Sequence, residues 1–210
     1  MNLVLLGSPG SGKGTQAKFL EEKYSLPHIS TGDIFRRAVE EKSAFSSEIE
    51  KVMKNGGLVP DDIVVGVVKE RLARKDCAKG FILDGFPRTL NQAKALDSRI
   101  DIVFYIELDE EEVVRRLSAR RVCVGCGATY HTIFQPPARE GVCSRCSGPL
   151  HQREDDSESV IRKRMNAYNS ATLPLVDYYS EKGILERIDG KKSILEINAV
   201  LGRRISGTGR

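Results

Sequence analysis

Short, continuous apolar runs alternate along the chain with longer segments in which apolar residues recur at helical spacing. Such a run is typical of a strand buried on both faces of a parallel sheet, whereas a spacing of three and four residues is typical of a helix with one core-facing side. The runs predict strands at residues 3–6, 81–83, 102–108 and 184–188. The periodic segments predict helices at residues 16–23, 34–42 and 44–54, from 61, from 109, over 157–182 with an interruption at Pro174, and from 193. This alternation predicts an α/β fold with a mostly parallel central sheet.

A glycine-rich stretch follows the first apolar run directly. Residues 7–15 read Gly-Ser-Pro-Gly-Ser-Gly-Lys-Gly-Thr, between a predicted strand and a predicted helix. Glycines in such a turn let backbone N–H groups converge at a helix N-terminus, where the helix dipole favours an anion, and Lys13 adds a mobile positive charge. The alternative is an ordinary glycine-rich turn with a surface lysine. The strand–turn–helix setting favours a loop that binds the phosphates of a nucleoside triphosphate.

A second candidate site residue, Asp84, ends the predicted strand at 81–83, and a short turn then leads to Arg88 at the start of a helix. Because the carboxyl ends of parallel strands meet at one edge of the sheet, Asp84 is expected beside the glycine-rich loop. An aspartate there can hold magnesium or its bound waters. The alternative is an aspartate that only caps a turn or a helix.

Arginines fall at several predicted helix starts, turns and segment edges near this edge of the sheet. A guanidinium group matches phosphate oxygens bidentately and keeps its charge at any physiological pH. Taken singly, each of them is better explained as a solvated surface residue. Their shared position favours phosphate binding by Arg36, Arg88, Arg120, Arg153 and Arg164.

Four of the five cysteines form two Cys-x-x-Cys pairs, at Cys123 and Cys126 and at Cys143 and Cys146. In a chain without a secretory signal, this spacing favours a tetrahedral zinc site over disulfides or ordinary thiols. Four cysteines would complete the metal's coordination shell and leave no position for water or substrate, so the predicted role of the zinc is structural. The surrounding segment is rich in glycine and proline, which marks an inserted lobe.

Composition and charge limit the classes of partner. The net charge is +4 and the pI is about 8.8, which suits an anionic substrate. The basic residues are interleaved with acidic ones, and the chain has no tryptophan, so neither the stripe of charge nor the stacking platform of a nucleic-acid-binding protein is predicted. The chain enters a strand at once and has no apolar run of membrane-spanning length. We expect a soluble, cytoplasmic monomer that binds neither nucleic acid nor membranes.

The motifs together resemble those of adenylate kinases in their long-lid, zinc-containing form, over essentially the whole chain. The loop at 7–15 carries the variant in which a glycine separates the lysine from Thr15, and three further motifs agree: residues 30–33 with Arg36, residues 84–89 with Gln92, and Arg153 with Asp155, Asp156 and Arg164. The resemblance implies a three-layer P-loop NTPase-type fold with a small helical lobe for the nucleoside monophosphate and a zinc-bearing lid. It implies a core domain of residues 1–29, 60–118 and 157–210, a monophosphate lobe at 30–59, and a lid at 119–156.

The same resemblance implies the reaction ATP + AMP ⇌ 2 ADP, with magnesium carried by ATP, and a role for each matching residue. Lys13 would follow the transferring phosphoryl group, Asp84 would orient magnesium-bound water, and the five arginines would surround the phosphates. The implied ATP-binding residues are Gly10, Ser11, Gly12, Lys13, Gly14, Thr15, Arg116, Arg120, Thr129, Tyr130 and Lys192. The implied AMP-binding residues are Thr31, Arg36, Gly57, Leu58, Val59, Gly85, Phe86, Pro87, Arg88, Gln92, Arg153 and Arg164.

Two other interpretations stay open at this point. A kinase for CMP, UMP or GMP would differ only in a few contacts around the base, near Thr31, Val59 and Gln92. A P-loop protein with a zinc ribbon that binds nucleic acid belongs to another class, and the dispersed charge disfavours it. The acceptor base is therefore the main question that the sequence leaves unsettled.

Overall fold

The computed structural model describes residues 1–42, 46–96 and 100–207. Its strands are β1 (Asn2–Gly7), β2 (His28–Ser30), β3 (Phe81–Asp84), β4 (Ile102–Glu107), β5 (Arg120–Cys123), β6 (Thr129–His131), β7 (Leu150–His151) and β8 (Leu185–Asp189). Its α-helices are α1 (Lys13–Tyr24), α2 (Thr31–Glu40), α3 (Ser46–Lys54), α4 (Asp61–Leu72), α5 (Leu90–Ala95), α6 (Glu110–Ser118), α7 (Glu158–Ala167), α8 (Leu175–Glu181) and α9 (Ile194–Gly207).

Five strands form a fully parallel sheet in the order β2-β3-β1-β4-β8. Successive side chains of a strand point to opposite faces, so the buried strands supply two separate core layers. In β1, Val4 and Leu6 pack with the layer that includes α4, α7 and α8, whereas Leu3 and Leu5 pack with α1 and α9. The predicted three-layer α/β fold is confirmed.

The element boundaries differ from the predictions by a few residues. α1 begins at Lys13 instead of residue 16, because the glycine-rich loop runs into the helix without a spacer. The first two residues predicted for α3 fall within 43–45, outside the described residues. The last helix, predicted from residue 193, is α9 and runs from Ile194 to Gly207; residues 208–210 are not described.

The predicted long helix at 157–182 is interrupted before Pro174 and not only at it. Tyr168–Thr172 forms a π-helical turn, in which the Leu173 N–H donates to the carbonyl of Tyr168 at 2.9 Å. Proline lacks an N–H and clashes with the preceding helical turn, so the backbone widens ahead of it. Tyr168 and Thr172 thereby line the cleft described below.

The inserted segment with the cysteines forms its own small antiparallel sheet in the order β6-β5-β7. Its apolar cluster consists of Ala128, Tyr130 and Leu150 around the buried thiols of Cys123 and Cys143. A lobe this small buries too little apolar surface to be stable alone. The segment therefore depends on the cysteine cluster or on the rest of the chain for its order.

Candidate active site

One large cleft, of about 1140 Å³, opens at the carboxyl edge of the parallel sheet. A pocket for one small molecule usually measures about 300–1,000 Å³, so this cleft has room for two. It is lined by residues from β1, the glycine-rich loop, the β3–α5 turn, the cysteine-bearing segment and α7. Ligands of open α/β sheets bind at this edge.

The glycine-rich loop is shaped by backbone that only glycine adopts readily. Gly10 and Gly12 have φ angles of 77° and 95°, in the left-handed range that glycine favours. A Cβ on Gly7 would lie 2.6 Å from the carbonyl oxygen of Ile106, so the loop packs directly on β4. The loop thus follows a path that larger residues would block.

Lys13 is folded back over this loop, where Nζ donates to the carbonyls of Gly7 and Ser8, both at 2.8 Å. Burial lowers the pKa of Lys13 to about 8, against a raising effect of Asp84 and a further lowering by nearby arginines. An anionic phosphate in the cleft would offset that burial by stabilising the ammonium form. A bound phosphate would therefore raise the pKa of Lys13.

Asp84 lies against the loop, because a Cβ on Gly14 would lie 3.4 Å from Asp84 Oδ2. Burial opposes ionisation of this carboxyl, but a hydrogen bond from His28 and the charge of Lys13 hold its pKa below the usual range. His28 Nε2 lies 3.3 Å from Asp84 Oδ2. An ionised carboxylate at this edge suits magnesium, which prefers oxygen ligands.

All five arginines singled out from the sequence line the same cleft. Burial, and after it the charge of Arg164, lowers the pKa of Arg88 to about 10, and burial followed by the charge of Arg120 lowers the pKa of Arg153 to about 9. Both groups remain cationic at neutral pH, so the repulsion between each of them and its neighbouring arginines is present in the folded protein. A polyanion bound among them would relieve that repulsion.

Buried acids hold two of these arginines in place. Asp156, whose side chain is inaccessible to solvent, accepts from Arg120 Nε at 2.8 Å and from Arg120 Nη2 at 2.5 Å. Arg164 Nη1 donates to Asp156 Oδ1 at 3.2 Å and to the backbone carbonyl of Asp155 at 3.0 Å, and it lies 2.9 Å from Asp155 Oδ2 in an ion pair. Because Arg120 and Asp156 lie near the two ends of the cysteine-bearing segment and Arg164 lies on α7, these contacts join that segment to the main body.

The structure separates the sequence-predicted site residues into two groups. Most of them line the cleft, including the loop, Lys192 and the turn at Gly85. Four residues predicted to bind the monophosphate are instead buried behind it, namely Thr31, Val59, Phe86 and Gln92. Thr31 Oγ1 donates to the carbonyl of Gly85 at 2.8 Å, and Gln92 Oε1 accepts from the backbone N–H of Arg88 at 2.7 Å.

Sequence reasoning missed two cleft residues, His28 and Phe134. His28 was left without a role. β2 pairs with β3 so that Ser30, two residues after His28, stands opposite Asp84, and this register is seen only in the structure. Phe134 lies in the cleft wall with its ring 4.8 Å from the Arg115 guanidinium and 4.5 Å from the His131 ring. An isolated phenylalanine in an irregular segment has no pattern from which this position could be predicted.

The four predicted metal ligands come together, with the Sγ atoms of Cys123, Cys126, Cys143 and Cys146 all within 4.8 Å of one another. Each Cys-x-x-Cys loop closes in the same way: the N–H of Gly127 donates to the carbonyl of Cys123, and the N–H of Ser147 to that of Cys143. Four thiolates in a closed cluster fit the tetrahedral coordination that zinc prefers. The residues present therefore fit a structural zinc ion.

Comparison with known proteins places the chain among nucleotide enzymes. The family model described as adenylate kinase matches residues 5–184. A protein of Archaeoglobus fulgidus named adenylate kinase is 51% identical over 96% of this chain and 98% of its own length. Adenylate kinases of Caldicellulosiruptor bescii and Bacillus licheniformis are 48% and 47% identical, over 93% and 99% of this chain and 94% and 99% of their own lengths. The chain belongs to the adenylate kinase family.

Proposed function

We propose that the cleft binds ATP and AMP side by side and that the protein transfers the terminal phosphoryl group reversibly between them, giving two ADP. Family membership identifies the protein as a nucleoside monophosphate kinase of the ATP:AMP class. The observation that carries the proposal for the site is the convergence of Lys13 and five arginines on one cleft with room for two ligands. Phosphoryl transfer depends mainly on such positioning and charge stabilisation.

The glycine-rich loop side of the cleft is the proposed ATP site. Backbone N–H groups of residues 10–15 would cradle the phosphates at the N-terminus of α1, and Lys13 would leave its carbonyl partners for the transferring group. Arg116, Thr129, Tyr130 and Lys192 also line the cleft and would bind the nucleoside of ATP. Arg120 would contact the phosphates from the cysteine-bearing segment.

The side of the cleft near the β3–α5 turn is the proposed AMP site. Arg36 and Arg88 would bind the AMP phosphate, with Arg153 and Arg164 between the two nucleotides. Gly57, Leu58, Gly85 and Pro87 also line the cleft and would contact AMP. Thr31, Val59, Phe86 and Gln92 would form the wall behind the base, where they are buried in this structure.

The acceptor needs no general base, because a phosphate monoester with a second pKa of about 6 is largely dianionic at neutral pH. Water is the competing acceptor, so the cleft has to exclude it during transfer. We propose that residues 30–59 and 119–156 move as a monophosphate lobe and a lid that close over a core of residues 1–29, 60–118 and 157–210. Closure would complete the arginine cage only when both substrates are bound.

Two metals are part of the proposal. Magnesium bound with ATP would neutralise phosphate charge, and Asp84 would orient a water molecule bound to the magnesium. Zinc bound by Cys123, Cys126, Cys143 and Cys146 would replace the core that the lid lacks, because metal binding in so small a unit is coupled to its folding. The zinc ion would take no part in phosphoryl transfer.

That the protein is a cytoplasmic monomer without nucleic-acid or membrane partners stays a prediction from the sequence. Among residues 1–42, 46–96 and 100–207, no helix combines the length and apolar character that crossing a membrane requires.

A coupled assay that offers MgATP with AMP, CMP, UMP or GMP in turn tests the proposal. We expect AMP to have the highest kcat/KM, with two ADP formed for each ATP consumed. The Lys13→Met variant, assayed in parallel, controls for contaminating kinases. Equal or faster use of CMP or UMP would assign another base to the same reaction class, and turnover of none of them would overturn the proposed reaction.

A further inference from the structure

The side-chain amide of Gln92 is held from two sides by residues of different elements. Its Nε2 donates to Asp61 Oδ1 at 2.7 Å, and its Oε1 accepts from the backbone N–H of Arg88, also at 2.7 Å. Gln92 is 1% exposed. The amide is thus held by hydrogen bonds at both its ends behind the cleft, and Asp61 has no role in the proposed function so far.

The chemistry of the two partners permits only one orientation of this amide. An ionised carboxylate only accepts hydrogen bonds, and a backbone N–H only donates them. Rotating the amide by 180° would place two acceptors together at Asp61 and two donors together at Arg88. Asp61 and Arg88 therefore determine which end of the amide is the donor and which is the acceptor.

Asp61 is itself held in place. Its second oxygen, Oδ2, accepts from Thr89 Oγ1 at 2.8 Å, and the same Thr89 oxygen caps α5 by accepting from the Gln92 N–H at 3.1 Å. Asp61 is the first residue of α4, whereas Gln92 lies on α5. The hydrogen bonds among Asp61, Thr89 and Gln92 close a ring, so the carboxylate cannot turn away without breaking several of them.

After these contacts, the Gln92 amide keeps one N–H and one oxygen lone pair. Adenine presents an N–H donor at its 6-amino group next to an acceptor at N1, and a 6-oxopurine presents the reverse order. An amide that could rotate would match either base. We propose that Asp61 is a positioning residue that fixes Gln92 for a 6-aminopurine monophosphate and against a 6-oxopurine one; this rests on the proposed AMP site.

The test compares AMP with IMP as acceptors, because these two monophosphates differ only at the positions that the amide would contact. The variant Asp61→Asn keeps the size of the side chain but lets it donate as well as accept hydrogen bonds. Residue 61 would then no longer determine which end of the Gln92 amide faces it. The control is Asp62→Asn, which removes the neighbouring charge from the same first turn of α4 at an exposed position. Circular dichroism melting verifies that each variant is folded.

For Asp61→Asn we expect the ratio of kcat/KM for AMP to that for IMP to fall at least about tenfold, on the scale of selectivity that buried polar contacts provide. KM for AMP should rise while kcat changes less than about twofold, and Asp62→Asn should keep the original ratio. Asp61→Ala, which removes both hydrogen bonds, should lower the ratio further and serves if the first variant does not fold.

Three results would overturn the inference. A ratio unchanged within about twofold in a folded Asp61 variant would show that Arg88 alone fixes the amide or that the base lies elsewhere. An equal fall in Asp62→Asn would assign the effect to helix charge. Failure of the unmodified protein to phosphorylate AMP would overturn the proposed function as well, which distinguishes it from the first two results.

Discussion

Asp156 offers a direct test of how the cysteine-bearing segment is joined to the main body. Its solvent-inaccessible carboxylate accepts two hydrogen bonds from Arg120 and one from Arg164. The change Asp156→Asn keeps the shape of the side chain and one acceptor but removes the charge. The Arg120 guanidinium would then lose the buried carboxylate that pairs with it, and Arg164 would lose one of its two carboxylate partners.

The expected cost follows from the burial of the pair. Removing one partner of a buried ion pair destabilises a protein by roughly 3–5 kcal/mol, because the remaining charge is left uncompensated. Asparagine retains part of the hydrogen bonding, so the lower end, about 3 kcal/mol, is expected. For a chain of 210 residues, each 1 kcal/mol lowers Tm by roughly 2–4 °C. The variant should therefore melt roughly 6–12 °C below the unmodified protein.

Melting followed by circular dichroism in the metal-loaded protein measures this shift. The matched control is Asp155→Asn, whose carboxylate is partly exposed and contacts Arg164 at 2.9 Å while Arg164 keeps Asp156 as a second partner. That variant should lose only about 1.5 kcal/mol, or roughly 3–6 °C. An Asp156→Asn shift of less than about 2 °C, or one no larger than the control's, would refute the reasoning from burial.

Three further predictions concern the cleft and the cysteine cluster. Lys13→Met should lower kcat by about two or more orders of magnitude, because the ammonium acts mainly on the charge of the transition state; a near-normal kcat in steady-state assays would contradict this. Since burial lowers the pKa of Lys13 to about 8, kcat/KM for ATP should fall as pH rises through about 8. The value of kcat should persist to higher pH, because bound phosphate favours the charged form of Lys13. Parallel pH profiles of kcat and kcat/KM would count against this prediction. Cys143→Ser should speed zinc release to a chromogenic chelator and lower Tm, with kcat only modestly reduced where the variant lid remains folded; turnover lost in step with zinc at unchanged stability would instead mean a catalytic metal.

The core and the phosphate loop could be predicted because their signals are local. The apolar runs that form β1, β3 and β4 are buried on both faces of the sheet, so a nearly continuous apolar sequence is enough to predict them. The glycines of residues 7–15 are required by the loop's own backbone angles. The position of Asp84 at the sheet edge followed from the parallel arrangement alone.

The contacts that could not be predicted depend on tertiary packing between distant residues. The hydrogen-bonded ring of Asp61, Thr89 and Gln92 joins two helices, and Asp61 and Gln92 are 31 residues apart in the sequence. The sequence around Asp61 does not distinguish it from an ordinary acidic residue at the start of a helix. The strands β5, β6 and β7 are only two to four residues long, too short for an alternating pattern. The acids that hold Arg120 and Arg164 were identified from family resemblance, since charge alone does not indicate which acid pairs with which arginine.

The central claim is that one cleft holds both nucleotides, and inhibition by a bisubstrate analogue tests it most directly. A molecule with two adenosines joined through five phosphates should bind one per chain and compete with ATP and with AMP alike. Its affinity should exceed that of either nucleotide by about two or more orders of magnitude, because the second contact becomes intramolecular. Competition with ATP but not with AMP would place the acceptor outside this cleft and contradict the account.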